Sequence, residues 1–438
     1  MDVGQGSCQI IQTDSQRYFL IDAGPSIKIG QRMMEFISNR SGGLATIEAV
    51  LISHAHADHM AGLLEILQLT YHFCRRSPGE WPVGWPRIRR VAIADPNWRK
   101  VLEMPETAPE AHLVKRAWVL LASINRELSK LPSAVERGFE SIRIDFHSLV
   151  LEKHLNPIQD LYPLWSSDMA GKPAATEAVS KTPMPPTPIP RLLLLYPDIE
   201  DYDELMTEDP NFDRNRISAV IKLEYAGIST LFPGDAPIEV WDKLLQRHKS
   251  LVQGIHVTVV PHHGGRIFDE DYNAERLKRL NTLYMSIVNS DRAVGIVSVG
   301  TLKGQLPRQG YGHPHQEVIQ SLRACRADVM CTQFTENCLD SRGGERVVEL
   351  LEGVRLQTNS LRESSLPGAG STFVDSVASG GRDYPRNVSC ASSVTITIAP
   401  DGQWSVHRLA EHRRLVDGLS ANVPGTLPLC RMGTEEFE

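Results

Sequence analysis

The sequence predicts an α/β fold in which strands deliver polar side chains to one edge of a sheet sandwich. Residues 49–52 are an apolar run of strand length, and residues 60–67 after them show the apolar spacing of a helix. Residues 218–225 alternate apolar and polar side chains, and residues 230–232 continue after a turn, which indicates a hairpin. That hairpin ends just before Asp235, so a polar group is expected at a strand end.

The segment between the first strand and its helix is the clearest functional signal. It contains His54, His56, Asp58 and His59 within six residues. Side chains two apart in an extended strand point to the same side, so His54 and His56 should face one way. Asp58 and His59 fall where the chain turns from strand to helix. Imidazole and carboxylate together are typical ligands of zinc, manganese or iron, although a His-rich polar turn would have the same composition.

The remaining elements follow from periodicity and turn residues. We expect helices over residues 111–131, 238–247 and 316–322, a strand over 257–260, and a closing hairpin from 394–398 and 404–406. The chain has 438 residues, more than one average domain, which favours an interrupted and extended core. The expected segments are a first core half at 1–75, an insertion with a helix and a Pro-rich linker at 76–190, a second core half at 191–345, and a C-terminal extension at 346–438.

Composition narrows the class of protein. The net charge of −7 argues against a globally basic nucleic-acid binder. No apolar run is long enough to cross a bilayer and no secretion signal is visible, so we expect a cytoplasmic location without membrane partners. The seven cysteines include no CxxC pair and are expected to be reduced.

One stretch, residues 75–100, combines cations with indole rings, and we call it the Arg–Trp segment. Its members are Arg75, Arg76, Arg87, Arg89, Arg90, Arg99, Lys100, Trp81, Trp85 and Trp98. Guanidinium groups can contact phosphates and tryptophans can stack on bases. Alternatively, the tryptophans fill a small satellite core and the arginines are solvated.

An ordered set of motifs surrounds the histidine-rich segment. The set comprises Asp-Val-Gly-Gln-Gly at 2–6, Tyr-Phe-Leu-Ile-Asp-Ala-Gly at 18–24, Thr-Leu-Phe-Pro-Gly-Asp-Ala at 230–236, Val-Pro-His-His-Gly-Gly at 260–265, Val-Ser-Val-Gly at 297–300 and Gly-His-Pro-His at 312–315. Together they resemble the metallo-β-lactamase fold, and more narrowly the hydrolase domain of ComEC-type DNA-uptake proteins and their soluble relatives, over residues 1 to about 75 and about 190 to 335. The resemblance implies an αββα sandwich without the membrane channel part.

The resemblance also implies a ligand set for two divalent ions, zinc or manganese. His54 and His56 would hold one ion. Asp58, His59 and a histidine of the pair His262/His263 would hold the other, with Asp235 bridging the two ions. A hydroxide between the ions would then be the nucleophile, because a bound ion lowers the pKa of water toward neutrality.

Further residues are candidates for supporting roles. Asp58, Asp235 and His313 are the candidate catalytic residues. His313 and His315 lie just before a predicted helix, where they could contact a substrate anion, as Lys303 in the same loop could, or serve in capping and packing.

In the resemblance, Asp2 and Asp22 correspond to carboxylates beside the ligands, although either could be a turn residue. Ser7 replaces an aspartate of the relatives, so a role for that position is not expected. Asn215 stands where most members of the fold have a histidine; it could ligate weakly, contact substrate, or satisfy its own backbone.

The leading functional hypothesis is a metal-dependent phosphodiesterase or nuclease with a nucleic-acid or nucleotide substrate. A second hypothesis is a hydrolase of a small lactone, thioester or phosphoester, because the predicted site does not choose between carbon and phosphorus. A third is a partner-dependent subunit of a multi-protein bacterial system, with the insertion and extension as protein-binding surfaces. Arginines of the Arg–Trp segment lining the cleft near His56 would favour nucleic acid, whereas arginines on the far face would favour a small substrate or a protein partner.

Overall fold

A computed structural model describes residues 6–13, 16–25, 27–94, 109–130, 144–149, 188–208, 212–288, 292–298, 313–332 and 394–407. The strands are β1 (Gln9–Gln12), β2 (Arg17–Ile21), β3 (Thr46–Ile52), β4 (Arg87–Ile88), β5 (Arg90–Ile93), β6 (Asp145–Ser148), β7 (Arg191–Tyr196), β8 (Val220–Tyr225), β9 (Ile228–Phe232), β10 (Val257–Val259), β11 (Val294–Val297), β12 (Asp328–Cys331), β13 (Ile396–Ile398) and β14 (Trp404–Val406). The helices are α1 (Ile27–Ser41), α2 (Ala57–Arg76), α3 (Pro109–Leu128), α4 (Ile199–Glu208), α5 (Ile238–Arg247), α6 (Lys249–Val252), α7 (Ala274–Ile287) and α8 (Gln316–Ala324).

Two mixed sheets form the centre of the described structure. The first sheet has the order β1-β2-β3-β5-β6, with β4 also paired to β3; β1 is antiparallel to β2 and the other pairings are parallel. The second sheet has the order β12-β11-β10-β9-β8-β7, parallel from β9 to β12 and antiparallel from β7 to β9. Parallel neighbouring strands end at a common edge of the sheet, so the polar loops that follow them lie close together.

The alternation of side chains along each strand explains the layering. In β2, Tyr18 and Leu20 pack with α1, α2 and α3, whereas Phe19 and Ile21 face the second sheet. Successive strand residues point to opposite faces, so a strand that is apolar at every position must be covered on both sides. The first sheet is therefore enclosed between a helical layer and the second sheet.

The second sheet is likewise covered on both faces, by the first sheet on one side and by helices on the other. Leu192 and Leu194 of β7 join the cluster between the sheets, whereas Leu193 and Leu195 join the cluster on the other face. That outer cluster includes the fully buried Trp241 of α5 and residues of α7 and α8. The result is a helix–sheet–sheet–helix sandwich, which confirms the predicted α/β class and agrees with a metallo-β-lactamase fold.

The helix and hairpin predictions also agree with the structure. The helix expected at 111–131 is α3, and those expected at 238–247 and 316–322 are α5 and α8. The closing hairpin is the antiparallel pair β13–β14, which packs on the second sheet through a cluster containing Trp404. Helix α2 begins at Ala57 rather than at 60, and it includes Asp58 in its first turn, where a carboxylate is favoured by the helix dipole.

Strands β4, β5 and β6 were not predicted from the sequence, which lacks clear periodicity there. They pair within the first sheet although they lie beyond residue 75, in the predicted insertion. The domain boundaries themselves stay predictions. The Pro-rich linker, most of the C-terminal extension and three members of the Arg–Trp segment (Trp98, Arg99 and Lys100) lie outside the described residues.

The helices in the described ranges are all too short or too polar to cross a bilayer.

Candidate metal centre

The predicted ligands lie where strands end, along one edge of the sandwich. His54 follows β3 and Asp58 and His59 open α2, all from the first sheet. Asp235 follows β9, and His263 follows β10, both from the second sheet. The sheets face each other, so their end loops meet across the edge and bring residues distant in the chain together.

Four side chains converge at this edge. One ligand atom from each of Asp58, His59, Asp235 and His263 lies within 4.8 Å of the others. Nε2 of His59 lies 3.1 Å from Oδ1 of Asp235 and 4.0 Å from Oδ2 of Asp58. Nε2 of His263 lies 3.3 Å from Oδ2 of Asp58 and 3.7 Å from Oδ1 of Asp235. We call these residues the four-ligand cluster.

The donor atoms of the four-ligand cluster fit a divalent ion. Ligands about 2.1 Å from a tetrahedral zinc lie about 3.4 Å from one another, close to the separations seen here. Nε2 of His59, Oδ1 of Asp235 and Nε2 of His263 are buried, and none forms a hydrogen bond of good geometry to a described residue. Buried polar atoms without such bonds are costly in a protein interior, and a cation among them would satisfy all three.

Hydrogen bonds on the far side of each ring orient two of the histidines. Nδ1 of His59 lies 2.7 Å from Oδ2 of Asp22, and Nδ1 of His263 lies 2.9 Å from the carbonyl oxygen of Ser298. Both partners can only accept, so each Nδ1 donates its hydrogen, and Nε2 is the ring nitrogen left to bind a metal once it carries no proton. This is the tautomer that a metal requires of a histidine bound through Nε2.

His54 has two hydroxyl groups behind it. Its Nδ1 lies 3.1 Å from Oγ of Ser53 and 3.3 Å from Oγ of Ser218. The Ser53 hydroxyl donates to Asp22, and the Ser218 hydroxyl accepts from the backbone N–H of Asp235. Because the Ser53 hydrogen is already directed to a carboxylate, its oxygen is left to accept from Nδ1–H of His54, which leaves Nε2 of His54 unprotonated.

His54 and His56 form a second group of donors beside the cluster. Nε2 of His54 lies 3.0 Å from Nδ1 of His56 and 3.9 Å from Oδ2 of Asp235. Asp235 thus presents Oδ1 to the four-ligand cluster and Oδ2 to His54. On the other side of His56, Nε2 lies 4.0 Å from Oδ1 of Asp213. This arrangement supports the expectation that Asp235 bridges two ions.

The electrostatics of the metal-free cluster are those of a buried ion pair. Burial opposes a charge on His59, but Asp235 and Asp22 outweigh it and raise the pKa of His59 well above its usual value. Burial likewise opposes a charge on Asp235, but His59 and His263 hold the pKa of Asp235 well below its usual value. Burial and the neighbouring His59 lower the pKa of His54. The carboxylates are therefore ionised and ready to bind a cation.

His262 and His313 lie beside the cluster rather than within it. Nδ1 of His262 donates to the carbonyl oxygen of Arg266 at 2.7 Å, and the His262 and His313 rings are 5.4 Å apart. The ring of His313 lies 6.5 Å from that of His263 and 5.7 Å from that of His315. Burial, with help from His262 and His263, lowers the pKa of His313 to about 3. His313 is therefore neutral near pH 7, able to form hydrogen bonds but not to carry positive charge.

The backbone is strained at three positions of this edge. Asp22, His262 and His263 have φ angles of 57°, 51° and 54°, which are uncommon for residues with a side chain. Backbone outliers of this kind persist where the surrounding structure holds them and often accompany functional sites. At His263 the conformation turns the chain so that the imidazole meets Asp58 and Asp235.

Four of the five described arginines of the Arg–Trp segment lie away from this edge. Arg87 pairs opposite Thr46 at the start of β3, about 20 Å along that strand from the histidine-rich segment. Arg89 is nearby and contacts Glu48 at 3.3 Å. Arg75 and Arg76 end α2, about 26 Å along the helix from Asp58.

The two described tryptophans of the segment behave as a satellite core. The indole N–H of Trp85 donates to Thr70 and that of Trp81 donates to the carbonyl oxygen of Trp85, each at 2.9 Å. Both rings pack against the core on the helical side of the first sheet. Their N–H groups are satisfied within the fold, which favours packing over base stacking.

Some supporting residues were not predicted. Ser53, Ser218 and Ser298 each contact a ligand histidine, yet serine carries little sequence signal. Ser298 lies in the Val-Ser-Val-Gly motif and acts through its backbone carbonyl, whereas the clue to Ser53 and Ser218 was their position beside a strand end. Asp22 lies where the resemblance placed it, whereas Asp2 and Lys303 lie outside the described residues. Ser7, for which no role was expected, donates its backbone N–H to the carbonyl oxygen of Asp58 at 3.1 Å.

Sequence comparison agrees with the geometry. Residues 1–151 match the profile of the Metallo-beta-lactamase superfamily, which supports the fold and suggests a metal-dependent hydrolase. The matched range includes Asp58 and His59, whereas Asp235 and His263 lie beyond it and join them only in the folded chain. No curated protein matches the chain.

Proposed function

We propose that this protein is a metal-dependent hydrolase that cleaves phosphodiester bonds with two divalent ions, zinc or manganese, bridged by Asp235. The observation that carries the proposal is the convergence of Asp58, His59, Asp235 and His263 within 4.8 Å, where the donor atoms of the last three are buried and lack hydrogen-bond partners among the described residues. The resemblance to ComEC-type hydrolase domains supports the choice of phosphorus over carbon.

The residues of the site would share the work as follows. His59 and His263 present Nε2 because Asp22 and the Ser298 carbonyl hold their Nδ1–H groups. Asp235 turns one oxygen to each group of donors, and Asp58 is the most exposed member of the cluster. Ions bound here would supply Lewis-acid activation of water and of the phosphoryl oxygen. His313 would contact the substrate as a neutral hydrogen-bonding group.

A second candidate is a hydrolase of a small ester. It is favoured by the position of Arg75, Arg76, Arg87 and Arg89, which lie toward the edge opposite the site. A long nucleic acid held at the metal centre would not reach these arginines without wrapping around the molecule. A nucleotide-sized phosphodiester meets both observations, and we take it as the preferred substrate size.

The test uses the full chain, freed of metal by chelation and reloaded with Mn²⁺ or Zn²⁺. The substrates are bis-p-nitrophenyl phosphate, p-nitrophenyl acetate, a dinucleotide, and single-stranded DNA. Asp58→Asn is the inactivating variant, since it keeps the shape of a side chain that is 35 % exposed and removes one charged ligand. Asp203→Asn, on the exposed face of α4, is the matched control.

Metal-dependent cleavage of the phosphodiesters, reduced at least about 100-fold in Asp58→Asn and unchanged in Asp203→Asn, is the expected result. Cleavage of the acetate alone would replace the proposal with the small-ester hydrolase. A protein that binds neither ion would overturn both candidates.

A further inference from the structure

We propose that the two ion sites are unequal, with a tight ion at the four-ligand cluster and an exchangeable ion at His54 and His56 that uses the side-chain oxygen of Asn215 as a ligand. The inference rests on the proposed function, because it concerns the ions of the same centre. It assigns Asn215 a role as a metal ligand. Occupancy of the second ion site would then depend on the concentration of free metal.

The four-ligand cluster has a complete donor set. Two imidazoles and two carboxylates give four protein ligands and two negative charges, enough for a tetrahedral ion without further help. Its two histidines are fixed by the hydrogen bonds that their Nδ1 groups donate to the Asp22 carboxylate and to the Ser298 carbonyl oxygen.

The neighbouring group of donors has fewer atoms and less negative charge than the four-ligand cluster. Nε2 of His54, Nδ1 of His56 and Oδ2 of Asp235 are its donors, and Asp235 is shared with the first ion. These atoms do not form a compact set of the kind found at the four-ligand cluster, judged over the described residues. An ion here would have two neutral imidazoles and one shared carboxylate, so it needs a further ligand.

Asn215 lies in a 3-10 turn whose two flanking residues contact these histidines. The 3-10 turn Arg214–Ile217 is preceded by Asp213, whose carboxylate is 4.0 Å from Nε2 of His56. It is followed by Ser218, whose hydroxyl is 3.3 Å from Nδ1 of His54. Asn215 is therefore within three residues of a contact to each histidine.

The side chain of Asn215 has an oxygen in need of a partner. Oδ1 of Asn215 is buried and accepts no hydrogen bond from any residue in the described ranges. The turn itself does not require this side chain, because Asp213 caps it by accepting the backbone N–H of Asn215 at 3.0 Å. A cation bound at His54 and His56 would satisfy this buried acceptor, because the residues on both sides of its turn contact those histidines.

The chemistry of the donors sets the difference between the sites. An amide oxygen is neutral and hard, so it binds a divalent ion more weakly than a carboxylate does and suits Mn²⁺ better than a thiophilic ion. The charge count of the ligands tunes affinity strongly in oxygen-rich sites. The second ion is therefore expected to exchange with the solvent while the first stays bound.

The experiment measures ion binding rather than turnover. Metal-free full-length protein is titrated with Mn²⁺ by equilibrium dialysis and elemental analysis, and electron paramagnetic resonance reports whether two bound ions are coupled. The variants are Asn215→Ala, which removes the oxygen, and Asn215→Asp, which keeps its shape and adds a charge. Asn39→Ala and Asn39→Asp, on the exposed face of α1, are the matched controls.

Wild type should bind one Mn²⁺ tightly and a second at least about tenfold more weakly. Asn215→Asp should tighten the second ion by at least about tenfold, and Asn215→Ala should weaken it and abolish the coupled signal, with the first ion unchanged in both. Equal affinity for two ions in wild type, or a second ion indifferent to both variants, would overturn the inference. Absence of any bound ion would instead overturn the proposed function, and unfolding of Asn215→Ala would leave Asn215→Asp as the deciding variant.

Discussion

Oδ2 of Asp22 lies 2.7 Å from Nδ1 of His59 and also accepts the hydroxyl of Ser53 at 3.0 Å. Ser53 in turn contacts Nδ1 of His54 at 3.1 Å. One buried carboxylate therefore orients a histidine from each group of donors, one directly and the other through a hydroxyl. Its effect on the site should be larger than that of a residue that touches a single ligand.

The variant Asp22→Asn tests this relationship. Asparagine tolerates the left-handed backbone of this position, where φ is 57°, so the fold should be retained. A neutral amide holds Nδ1–H of His59 less strongly, and we expect metal affinity to fall about 10–100-fold. The measurement is competition with a chelator, with circular dichroism to verify folding and Asp203→Asn as the control. Unchanged affinity would show that Asp22 is only a turn residue.

Metal binding should depend on pH in a direction set by His59. Its pKa is raised in the metal-free protein, so at neutral pH the ring is protonated and must lose a proton to bind an ion through Nε2. Affinity should therefore fall about tenfold for each pH unit below the raised pKa of His59. Calorimetry in buffers of different ionisation enthalpy measures the released proton, and affinity that is constant from pH 6 to pH 8 would contradict the prediction.

The same pKa shifts predict how the stability of the metal-free protein varies with pH. The stabilisation from His59 is fully present below its ordinary pKa of 6.5 and is lost as the pH rises through the raised value. The stabilisation from Asp235 is present above its ordinary pKa of 3.8 and is lost as the pH falls through the lowered value. The melting temperature of metal-free protein should decline toward alkaline pH, whereas loaded protein should lack that decline. Equal declines in both forms would argue that other groups control alkaline stability.

Gly265 allows His313 to approach the cluster. A Cβ atom at residue 265 would overlap Cε1 of the His313 ring, so Gly265→Ala must displace that imidazole. We expect cleavage to fall about 10–100-fold, because the loss of one hydrogen bond to the substrate costs about 1–3 kcal/mol, and we expect the metal stoichiometry to stay unchanged. Gly254→Ala, at a position with open space but positive φ, controls for general loss of stability. Full activity of Gly265→Ala would remove His313 from the candidate catalytic residues.

The arginines that end α2 should have no part in cleavage. Arg75 and Arg76 are exposed and lie about 26 Å along the helix from Asp58. The double variant Arg75→Ala, Arg76→Ala should cleave bis-p-nitrophenyl phosphate and DNA at wild-type rates within about twofold, and the salt dependence of DNA cleavage should not change. A weaker salt dependence in the variant would show that these arginines contact the nucleic acid.

Much of the fold could be predicted because many of its elements are specified by local patterns in the sequence. The alternation of residues 218–225, the helical spacing at 238–247 and the closing hairpin of 394–398 and 404–406 each depend on neighbours in sequence, and each element formed as expected. Strands β4 to β6 were missed because short two- to four-residue strands leave no periodic trace, and their existence depends on β3 as a partner.

By itself the sequence determined the chemistry of the site, since a segment with His54, His56, Asp58 and His59 before a helix favours metal ligation in almost any packing. Only the tertiary structure decided which residues complete it. It selected His263 over His262, because their backbone turns aim one ring at Asp58 and the other at the Arg266 carbonyl. It also placed Arg87 and Arg89 toward the far edge, because residues at the start of a strand are separated from those at its end by the full length of the strand.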